Sequence, residues 1–368
     1  MHFTCEKESI LREISIAQEI ISSRDSLSIL SNVLLETQEN RLKIKATDLK
    51  VSFETNIQVD TKEPGSTTVF CDKLLGILKS LPDGEVDFEI QEEMMFFIRP
   101  LKKKIDFKLK SIPADKYPES KEISEECYFD LPQKELIDMI SKTLFAVSDD
   151  ESRYFMNGVF FEKIDQNLVM VATDGRRLSY IAKEIEINLD TLKGIIIPPK
   201  ILTLIKKLST GEGNISLAIG DNNLFIRFNQ HRLSSNLIDA QFPNYKRVIP
   251  ENQEHRLIVE RKALESALRR VSLLVEEKSR RVLLTIQPDN LIISSSEGEI
   301  GMAREEMPCQ FNGPEIGIGI NYLYLIDPLR EMSEETVSLE FTESDRALTI
   351  KPQPEKDYFH IVMPMQAG

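Results

Sequence analysis

The sequence predicts an α+β fold of three similar domains in tandem, each made of two helices packed on antiparallel sheet. The main observation is a pattern of extended run, helical stretch and extended run that begins at Phe3, Phe129 and Leu257. Solenoid repeats have periods of about 20–50 residues, so this wider spacing indicates repeated domains. Three equivalent domains favour a symmetric assembly over a single catalytic cleft.

A second repeat occupies the later half of each copy. The segments at 67–90 and 194–219 are similar, and the segment at 316–341 is a looser version of them. Each is typical of a strand, a helix with apolar residues on one face, a turn and a second strand. This repeat supplies the second helix of every domain.

Residue spacing supports the individual elements. A first helix is predicted from Glu6 to Ser22, and another from Ile197 to Leu208. The apolar residues of the latter recur at the i, i+3, i+4 and i+7 positions of one helical face, namely Ile201, Leu204, Ile205 and Leu208. Residues 223–229 alternate as a strand does.

The repeat also sets the domain boundaries. A chain of 368 residues has room for two or three domains, and the repeat selects three. We place them at 1–126, 127–252 and 253–368.

The charge balance limits the function classes. The chain has 46 basic and 60 acidic residues, a formal net charge of −14. This argues against a protein that coats nucleic acid with a basic surface. A nucleic-acid function requires the positive charge to be concentrated where the nucleic acid lies.

The composition favours a cytoplasmic protein. No run of about 18 apolar residues predicts a membrane span, and the first residues lack the basic and apolar regions of a signal peptide. The four cysteines are scattered, which predicts buried, reduced thiols at Cys5, Cys71, Cys127 and Cys309.

Familiar catalytic motifs are missing from the sequence. It has no phosphate-binding glycine loop, no H-E-x-x-H and no nucleophile elbow, so no cofactor, metal or catalytic residue is predicted. The densest central acidic cluster is Asp149, Asp150 and Glu151. It could hold a metal or act in acid–base chemistry, but a solvated loop after a helix is the favoured interpretation.

One segment carries a family resemblance. Residues Ala172–Leu178 read A-T-D-G-R-R-L after an apolar strand. An Asp-Gly pair alone is a common hairpin turn, but this longer pattern in the middle of three repeats resembles the bacterial DNA sliding clamps, the beta subunits of the replicative DNA polymerase III. Further stretches similar to that family, in the same order, lie at 63–84, 152–162, 239–250 and 361–365.

The resemblance implies a non-catalytic processivity factor for DNA replication. In that family two chains join head to tail, and six similar domains form a closed ring around duplex DNA. Helices would line the hole and sheets would form the rim. A ring holds its polymerase on DNA by topology, so an acidic outer surface is compatible with weak, sequence-independent phosphate contacts inside. The expected partners are DNA, the polymerase, the clamp loader, other proteins with clamp-binding peptides and a second copy of the chain, with no membrane.

The DNA-facing residues are expected on the lining helices and nearby loops. The helix 197–208 has three lysines and no acid, and the first helix of the third domain ends in two arginines. Resemblance adds Arg24, two lysines add charge in the first domain, and Tyr154 lies in the loop before 156. The full set is Arg24, Lys73, Lys79, Tyr154, Lys200, Lys206, Lys207, Arg269 and Arg270.

The resemblance also implies a groove between the second and third domains that binds short peptides. Methionines suit such a site because they repack around varied apolar side chains. Its implied walls from the second domain are Arg153, Met156, Thr173, Gly175, Arg176, Arg177, Leu178, Pro243, Arg247 and Val248. From the third domain they are Asn321, Tyr324, Ala347, Ile361, Met363, Pro364 and Met365. The alternative for the apolar members is ordinary core, and for Met363–Met365 a last edge strand.

The expected dimer contact joins the first domain of one chain to the third domain of the other. Lys102, Lys103 and Lys104 lie in a predicted basic loop and edge strand of the first domain. The matching edge of the third domain has four acids, Glu297, Glu299, Glu305 and Glu306. By resemblance, Leu273 and Leu274 form the apolar interface pair.

Some positions depart from the family pattern. Ser279 stands where several members have an aromatic residue, which predicts a more open groove wall. Asp149 and Asp150 lie in a loop that elsewhere approaches DNA. Two other hypotheses stay open at this point: a hydrolase that uses Asp149–Glu151, and a repeat adaptor that binds peptides without DNA.

Overall fold

The computed structural model describes residues 1–21, 28–91, 94–186, 192, 194–298 and 301–365. The chain divides into two compact units. The first consists of Met1–Leu131 and Asn214–Asn236, and the second of Pro132–Gly213 and Leu237–Gly368. Part of the predicted central domain therefore packs with the first unit.

Three helix pairs match the three sequence repeats. In the described ranges the helices are α1 (Lys7–Ile20), α2 (Cys71–Ser80), α3 (Gln133–Ser141), α4 (Pro199–Leu208), α5 (Arg261–Val271) and α6 (Tyr322–Glu331). Helix α1 packs on α2, α3 on α4 and α5 on α6. The prediction of two helices per repeat is confirmed.

The strands of the described part follow the chain in this order: β1 (His2–Glu6), β2 (Asn32–Gln38), β3 (Arg41–Thr47), β4 (Val51–Gln58), β5 (Asp60–Glu63), β6 (Gly65–Phe70), β7 (Glu85–Gln91), β8 (Met95–Pro100), β9 (Phe107–Ile112), β10 (Phe129–Pro132), β11 (Val159–Ile164), β12 (Asn167–Thr173), β13 (Arg177–Glu184), β14 (Ile195–Ile197), β15 (Asn214–Ile219), β16 (Asn223–Phe228), β17 (His231–Asn236), β18 (His255–Glu260), β19 (Arg281–Gln287), β20 (Asn290–Ser295), β21 (Arg304–Pro308), β22 (Ile316–Asn321), β23 (Thr336–Phe341), β24 (Leu348–Gln353) and β25 (Tyr358–Val362).

Antiparallel pairing organises these strands into three sheets. The first unit has the order β10-β15-β16-β17-β4-β3-β2-β6-β9-β8-β7-β1-β5. The second unit has β14-β11-β12-β13-β25-β24-β23-β18 and the smaller β21-β20-β19-β22. In the second unit, β13 pairs with β25 and so joins the central and third repeats in one sheet.

Helix α4 illustrates why the sequence pattern predicts the packing. Its apolar positions are buried, including Ile201 and Leu208, while Lys206 and Lys207 are exposed. The helix begins at Pro199 because proline lacks an N–H but fits the first helical turn. The predicted helix start at Ile197 was two residues early, since Ile195–Ile197 pair as strand β14 with β11.

The first helix is also close to its predicted range. It was expected from Glu6, which is the last residue of β1 and lies just before α1. It ends at Ile20, and the predicted end, Ser22, lies outside the described residues.

Two of the cysteine predictions are wrong. All four thiols are free, and Cys5 and Cys71 are buried as expected. Cys127, however, is exposed and Cys309 is partly exposed. Burial raises the pKa of both Cys5 and Cys71 to about 12, which keeps them as unreactive thiols. No helix in the described part of the chain is long and apolar enough to span a membrane.

Candidate functional site

The A-T-D-G segment forms the tight turn between β12 and β13. The Asp174 carboxylate accepts hydrogen bonds from the backbone N–H groups of Arg176 (2.9 Å) and Arg177 (3.0 Å). Gly175 has a φ of +86°, a left-handed conformation that favours glycine. A Cβ added at Gly175 would lie 2.9 Å from Arg153 Nη1. The turn therefore requires both the aspartate and the glycine.

Arg177 connects this turn to two other elements. Its guanidinium lies 3.1 Å from Asp174 Oδ2 and 2.6 Å from Asp327 Oδ2 on α6. It also donates to the Phe145 carbonyl oxygen at 2.5 Å. The Arg177 guanidinium lies 4.7 Å from the ring centre of Tyr324. One arginine thus fixes the turn relative to α6, which carries Asp327 and Tyr324, and relative to the segment at Phe145.

Arg153 supports the turn from the acidic loop. Its Nη1 donates to the Asp174 carbonyl oxygen at 3.0 Å, and its Nε donates to Asp150 Oδ2 at 2.9 Å. Asp150 also accepts from the backbone N–H of Ser152 at 3.0 Å. Hydrogen bonds from Ser152 and then Arg153 lower the pKa of Asp150.

The acidic loop has a structural use and no metal-binding arrangement. Asp149 and Glu151 are exposed beside Asp150. Within the described ranges no group of three His, Cys, Asp or Glu side chains could hold a metal ion. The solvated-loop interpretation is favoured, with Asp150 as the residue that orients Arg153.

A row of side chains across the second-unit sheet forms the floor of the predicted groove. Thr173 is in register with Leu178, and Leu178 with Ile361. Leu178 and Ile361 are each 3% exposed and belong to a cluster that includes Phe242 and Tyr245. Leu178 and Ile361 therefore give the floor an apolar surface that neighbouring side chains hold in place.

Residues 237–250, here termed the strap, cover this cluster. The Phe242 ring stacks on Phe160 with 4.8 Å between the ring centres. The Tyr245 hydroxyl donates to Glu162 Oε1 at 2.7 Å, and burial, followed by that hydrogen bond, raises the pKa of Tyr245. These contacts leave Val248 56% exposed at the surface.

The remaining strap residues of the predicted groove lie beside Val248. Arg247 is exposed and Pro243 is half-buried. The strap therefore presents three of the predicted wall residues to solvent while its aromatic side chains are held in the cluster.

The end of the described chain lies against the turn. The Met363 backbone N–H donates to the Arg176 carbonyl oxygen at 2.9 Å, and the Met365 N–H donates to that of Gly319 at 2.8 Å. Met363 is 46% exposed, and Pro364 is half-buried. The edge-strand alternative is wrong, because β25 ends at Val362 and lies between β13 and β24.

The other predicted groove residues occupy distinct positions in the second unit. Met156 is buried behind Gly175, with its Cε 3.9 Å from the Cβ position there. Asn321 caps α6 by accepting from the Leu323 N–H at 3.0 Å. Ala347 is half-buried against the cluster of Leu178 and Ile361. Ser279 is partly exposed in the turn before β19.

Several residues that shape the site were not found from the sequence. They are Phe145, Glu162, Phe242, Tyr245, Gly319 and Asp327. Each acts through a partner distant in sequence, as Glu162 does with Tyr245. Asp174 lies within the A-T-D-G motif, and its position directly before glycine indicates a turn, but not its role in the site.

All the predicted DNA-facing residues that the structure describes, except Tyr154, lie on helices α2, α4 and α5, and several have acidic neighbours. Lys206 Nζ is 3.6 Å from Glu331 Oε1. The guanidinium groups of Arg269 and Arg270 each lie 2.5 Å from a carboxylate, of Glu265 and Glu305 respectively. These pairs reduce the positive charge of the helix surfaces.

The other predicted DNA-facing residues are more varied. Lys73 lies 3.4 Å from Asp72 on α2, and Lys79 is exposed at the end of the same helix. Tyr154 is 56% exposed. Lys200 is half-buried on the first turn of α4. Arg24 lies outside the described residues.

The predicted dimer residues need one correction. Lys102, Lys103 and Lys104 lie in the loop between β8 and β9, both of which are internal strands, so the edge-strand part of the prediction is wrong. The three lysines form the connecting loop of a hairpin, because β8 and β9 pair with each other.

The third-domain side of the prediction lies at a sheet edge. Glu305 and Glu306 are on β21, one of the two edge strands of the smaller sheet. Leu273 is 80% exposed and Leu274 half-buried. Glu297 is exposed after β20, and Glu299 lies outside the described residues.

Comparison with solved structures defines the class of protein, a three-domain DNA sliding clamp. A DnaN sliding clamp from Pseudomonas aeruginosa bound to griselimycin superposes with a TM-score of 0.93 at 30% identity, with all of both chains covered. The sliding clamp of Bacillus subtilis gives a TM-score of 0.94 at 26% identity, again over both full chains.

The sequence comparisons agree over the full length. Models of the N-terminal, central and C-terminal domains of the DNA polymerase III beta subunit match residues 1–121, 130–244 and 246–366. Beta sliding clamps of Treponema pallidum and Escherichia coli K12 are 44% and 31% identical, with all of each chain covered. The chain belongs to the DNA polymerase III beta subunit family, whose members are non-catalytic processivity factors.

Proposed function

We propose that two copies of this chain form a closed ring around duplex DNA and tether the replicative polymerase and other factors to it. Family membership supports the general role, and the groove supports the tethering. A ring of head-to-tail copies closes when the rotation at each interface allows it. The ring would act on DNA in the cytoplasm, with domain boundaries at 1–126, 127–252 and 253–368.

The single observation that carries the tethering role is the construction of the groove. Leu178 and Ile361 provide an apolar floor, Val248 and Met363 stand exposed beside it, and Arg177 fixes the turn. Such a site suits a short peptide with apolar anchors and a few polar groups that set its orientation. The occupants would be short segments of the polymerase, the clamp loader and other clamp-binding proteins.

The DNA contacts would be weak and independent of sequence. The candidate residues on the helices are cationic, but Lys206, Arg269 and Arg270 have carboxylate neighbours. Phosphate contacts of this kind position DNA without reading bases. Topological enclosure makes tight contact unnecessary, which suits a chain of net charge −14.

The dimer would form between the first domain of one chain and the third domain of its partner. The exposed Leu273 and the neighbouring Leu274 would supply most of the affinity, because they remove apolar surface from water. The opposed charges of the Lys102–Lys104 loop and of Glu305 and Glu306 would orient the association.

A peptide titration tests the groove. A fluorescent peptide of about six residues, with a glutamine and a terminal Leu or Phe anchor, should bind with modest affinity because it must be ordered on binding. Leu178→Asp places a charge in the apolar floor and should reduce affinity by at least tenfold. Met363→Ala should have a smaller effect, since Met363 adapts to the peptide.

The control is Leu283→Asp, which makes the same change at an exposed leucine elsewhere in the second unit. It should leave peptide binding unchanged. If Leu178→Asp folds normally and binds the peptide as the unaltered protein does, the groove assignment is wrong.

A further inference from the structure

A second cleft continues the floor of the groove along the same face of the sheet. The row that joins Leu178 to Ile361 extends to Thr349, which is in register with Ile361. Thr349 is in turn in register with Glu340. Thr349 and Glu340 line a cleft of about 440 Å³, bordered by Ile249 and Pro250 from the strap. The groove and this cleft are therefore adjacent.

The apolar wall of the cleft is an aromatic pair. Tyr180 is two residues from Leu178 on β13, and Phe359 is two residues from Ile361 on β25. Because side chains alternate along a strand, all four face the same side of the sheet. Their rings stack with 4.8 Å between centres and 16° between planes. Arginine guanidinium groups favour such aromatic surfaces.

The charged wall of the cleft has four acids and two lysines, Lys351 and Lys356. Each lysine is paired with a carboxylate, Lys351 with Glu340 and Lys356 with Glu334. Glu340 Oε2 lies 2.7 Å from Lys351 Nζ, and Glu355 Oε1 lies 2.9 Å from Arg256 Nη2. Glu251 and Asp357 also line the cleft and are exposed. Neither carboxylate has an ion pair within the described part of the chain. The cleft therefore offers two carboxylates to a cation.

A buried hydroxyl adds an observation independent of the charges. Thr349 is 4% exposed, and its Oγ1 has no hydrogen-bond partner among the described residues. Buried polar atoms are nearly always hydrogen-bonded, so an unpartnered hydroxyl at the wall of a cleft suits a ligand that donates. A guanidinium has five N–H donors and no acceptor.

We propose that this cleft binds an arginine side chain of the peptide whose apolar anchor occupies the groove. The arginine stacks on Tyr180 and Phe359, pairs with Asp357 and Glu251, and donates to Thr349. Tyr180 and Phe359 are two strand residues, about 7 Å, from Leu178 and Ile361. An extended peptide advances about 3.3 Å per residue, so one to three residues between the anchor and this arginine cover that distance. The inference rests on the proposed groove and adds a specificity element to it.

Matched peptides test the proposal. The groove peptide is extended at either end by one to three glycines and then by arginine or by citrulline, which has nearly the same shape without the charge. In the unaltered protein, the best arginine peptide should bind about three- to tenfold more tightly than its citrulline counterpart. The double variant Asp357→Asn, Glu251→Gln should remove this preference.

Control variants separate charge from folding. Glu343→Gln removes an exposed acid outside the cleft and should keep the preference for arginine. Thr349→Val keeps the side-chain shape and should weaken both extended peptides while leaving the unextended peptide unchanged.

The outcomes distinguish the cleft from the groove. Normal binding of the unextended peptide, with no arginine preference at any spacing, overturns the cleft proposal alone. Persistence of the preference in the double variant overturns it too. If the unextended peptide does not bind, the groove proposal fails and the cleft proposal fails with it.

Discussion

At the scale of single residues, the site depends on side chains that hydrogen-bond to several elements at once. Arg177 is the main example, because its planar guanidinium serves Asp174, Asp327 and the Phe145 carbonyl together. A lysine would carry the same charge but could not reproduce this fork. The sequence motif predicted that Arg177 lies at the site, and it gave no sign of Asp327 or Phe145.

Arg177→Lys should therefore reduce groove-peptide affinity by about tenfold and lower the free energy of unfolding by about 1–3 kcal/mol, because partners of Arg177 lose their hydrogen bonds. Peptide titration and thermal unfolding measure the two effects. Arg346→Lys, at an exposed position paired with Glu343, is the control and should change neither. Equal peptide affinity in Arg177→Lys would show that the turn is positioned without this residue.

A second residue-scale prediction concerns His360. Burial, followed by repulsion from Lys142 and Arg177, lowers the pKa of its imidazole from 6.5 to about 3. In the unfolded chain the pKa is the ordinary value near 6.5. Between pH 6.5 and 3 the unfolded state therefore binds a proton that the folded state does not. Stability is complete above pH 6.5 and should fall as the pH is lowered through this window.

Denaturant unfolding at pH values from 7 to 4 measures this slope, which for one proton is at most about 1.4 kcal/mol per pH unit. His360→Gln should flatten the part of the slope due to this group. His255→Gln changes a less buried histidine and should leave that part in place. An unchanged slope in His360→Gln would contradict the assignment.

At the scale of elements, the sequence predicts regular structure better than it predicts the strap. The buried face of α4 follows from local periodicity, and β16 forms as predicted, although Phe225 on its other face is buried as well. The strap has no such periodicity, and its position depends on contacts such as Phe242 with Phe160, which lie far apart in the chain. For the same reason, the Lys102–Lys104 loop was partly misassigned to an edge strand.

Tyr245→Phe tests whether the strap is held by its hydrogen bond to Glu162. The change keeps the ring but removes the hydroxyl, so Glu162 loses a partner in a half-buried position. The free energy of unfolding should fall by about 1–2 kcal/mol, and groove-peptide affinity should fall as Val248 becomes less well positioned.

Tyr180→Phe changes a neighbouring ring of the same cluster and serves as the control. It should cost less stability than Tyr245→Phe. If Tyr245→Phe leaves both stability and peptide affinity unchanged, the Glu162 hydrogen bond does not position the strap.

At the scale of the whole molecule, the repeat was visible in the sequence because each copy must build the same two-helix packing on a sheet. The division into two compact units was not visible. Strands β15–β17, which belong to the central repeat, pair through β17 with β4 of the first repeat. Pairing across repeats leaves no local signal.

The assembly prediction concerns Leu273 and Leu274. If the proposed dimer uses this pair, replacing both leucines with aspartate should convert it to monomer, since charges would be buried in an apolar contact. Light scattering at micromolar concentration measures the change, and unchanged circular dichroism establishes that the variant is folded. Leu283→Asp, elsewhere in the third repeat, should stay dimeric. A folded double variant with an unaltered dimer constant would rule out this interface.

The most direct test of the proposed ring is retention on circular DNA. After a clamp-loader complex has loaded the protein onto nicked circular plasmid, gel filtration in high salt should show it eluting with the DNA, because enclosure does not depend on phosphate contacts. Cutting the plasmid once should release it, since the ring can then slide off an end. Loss of the protein from circular and linear plasmid alike, or equal retention on both, would contradict the account.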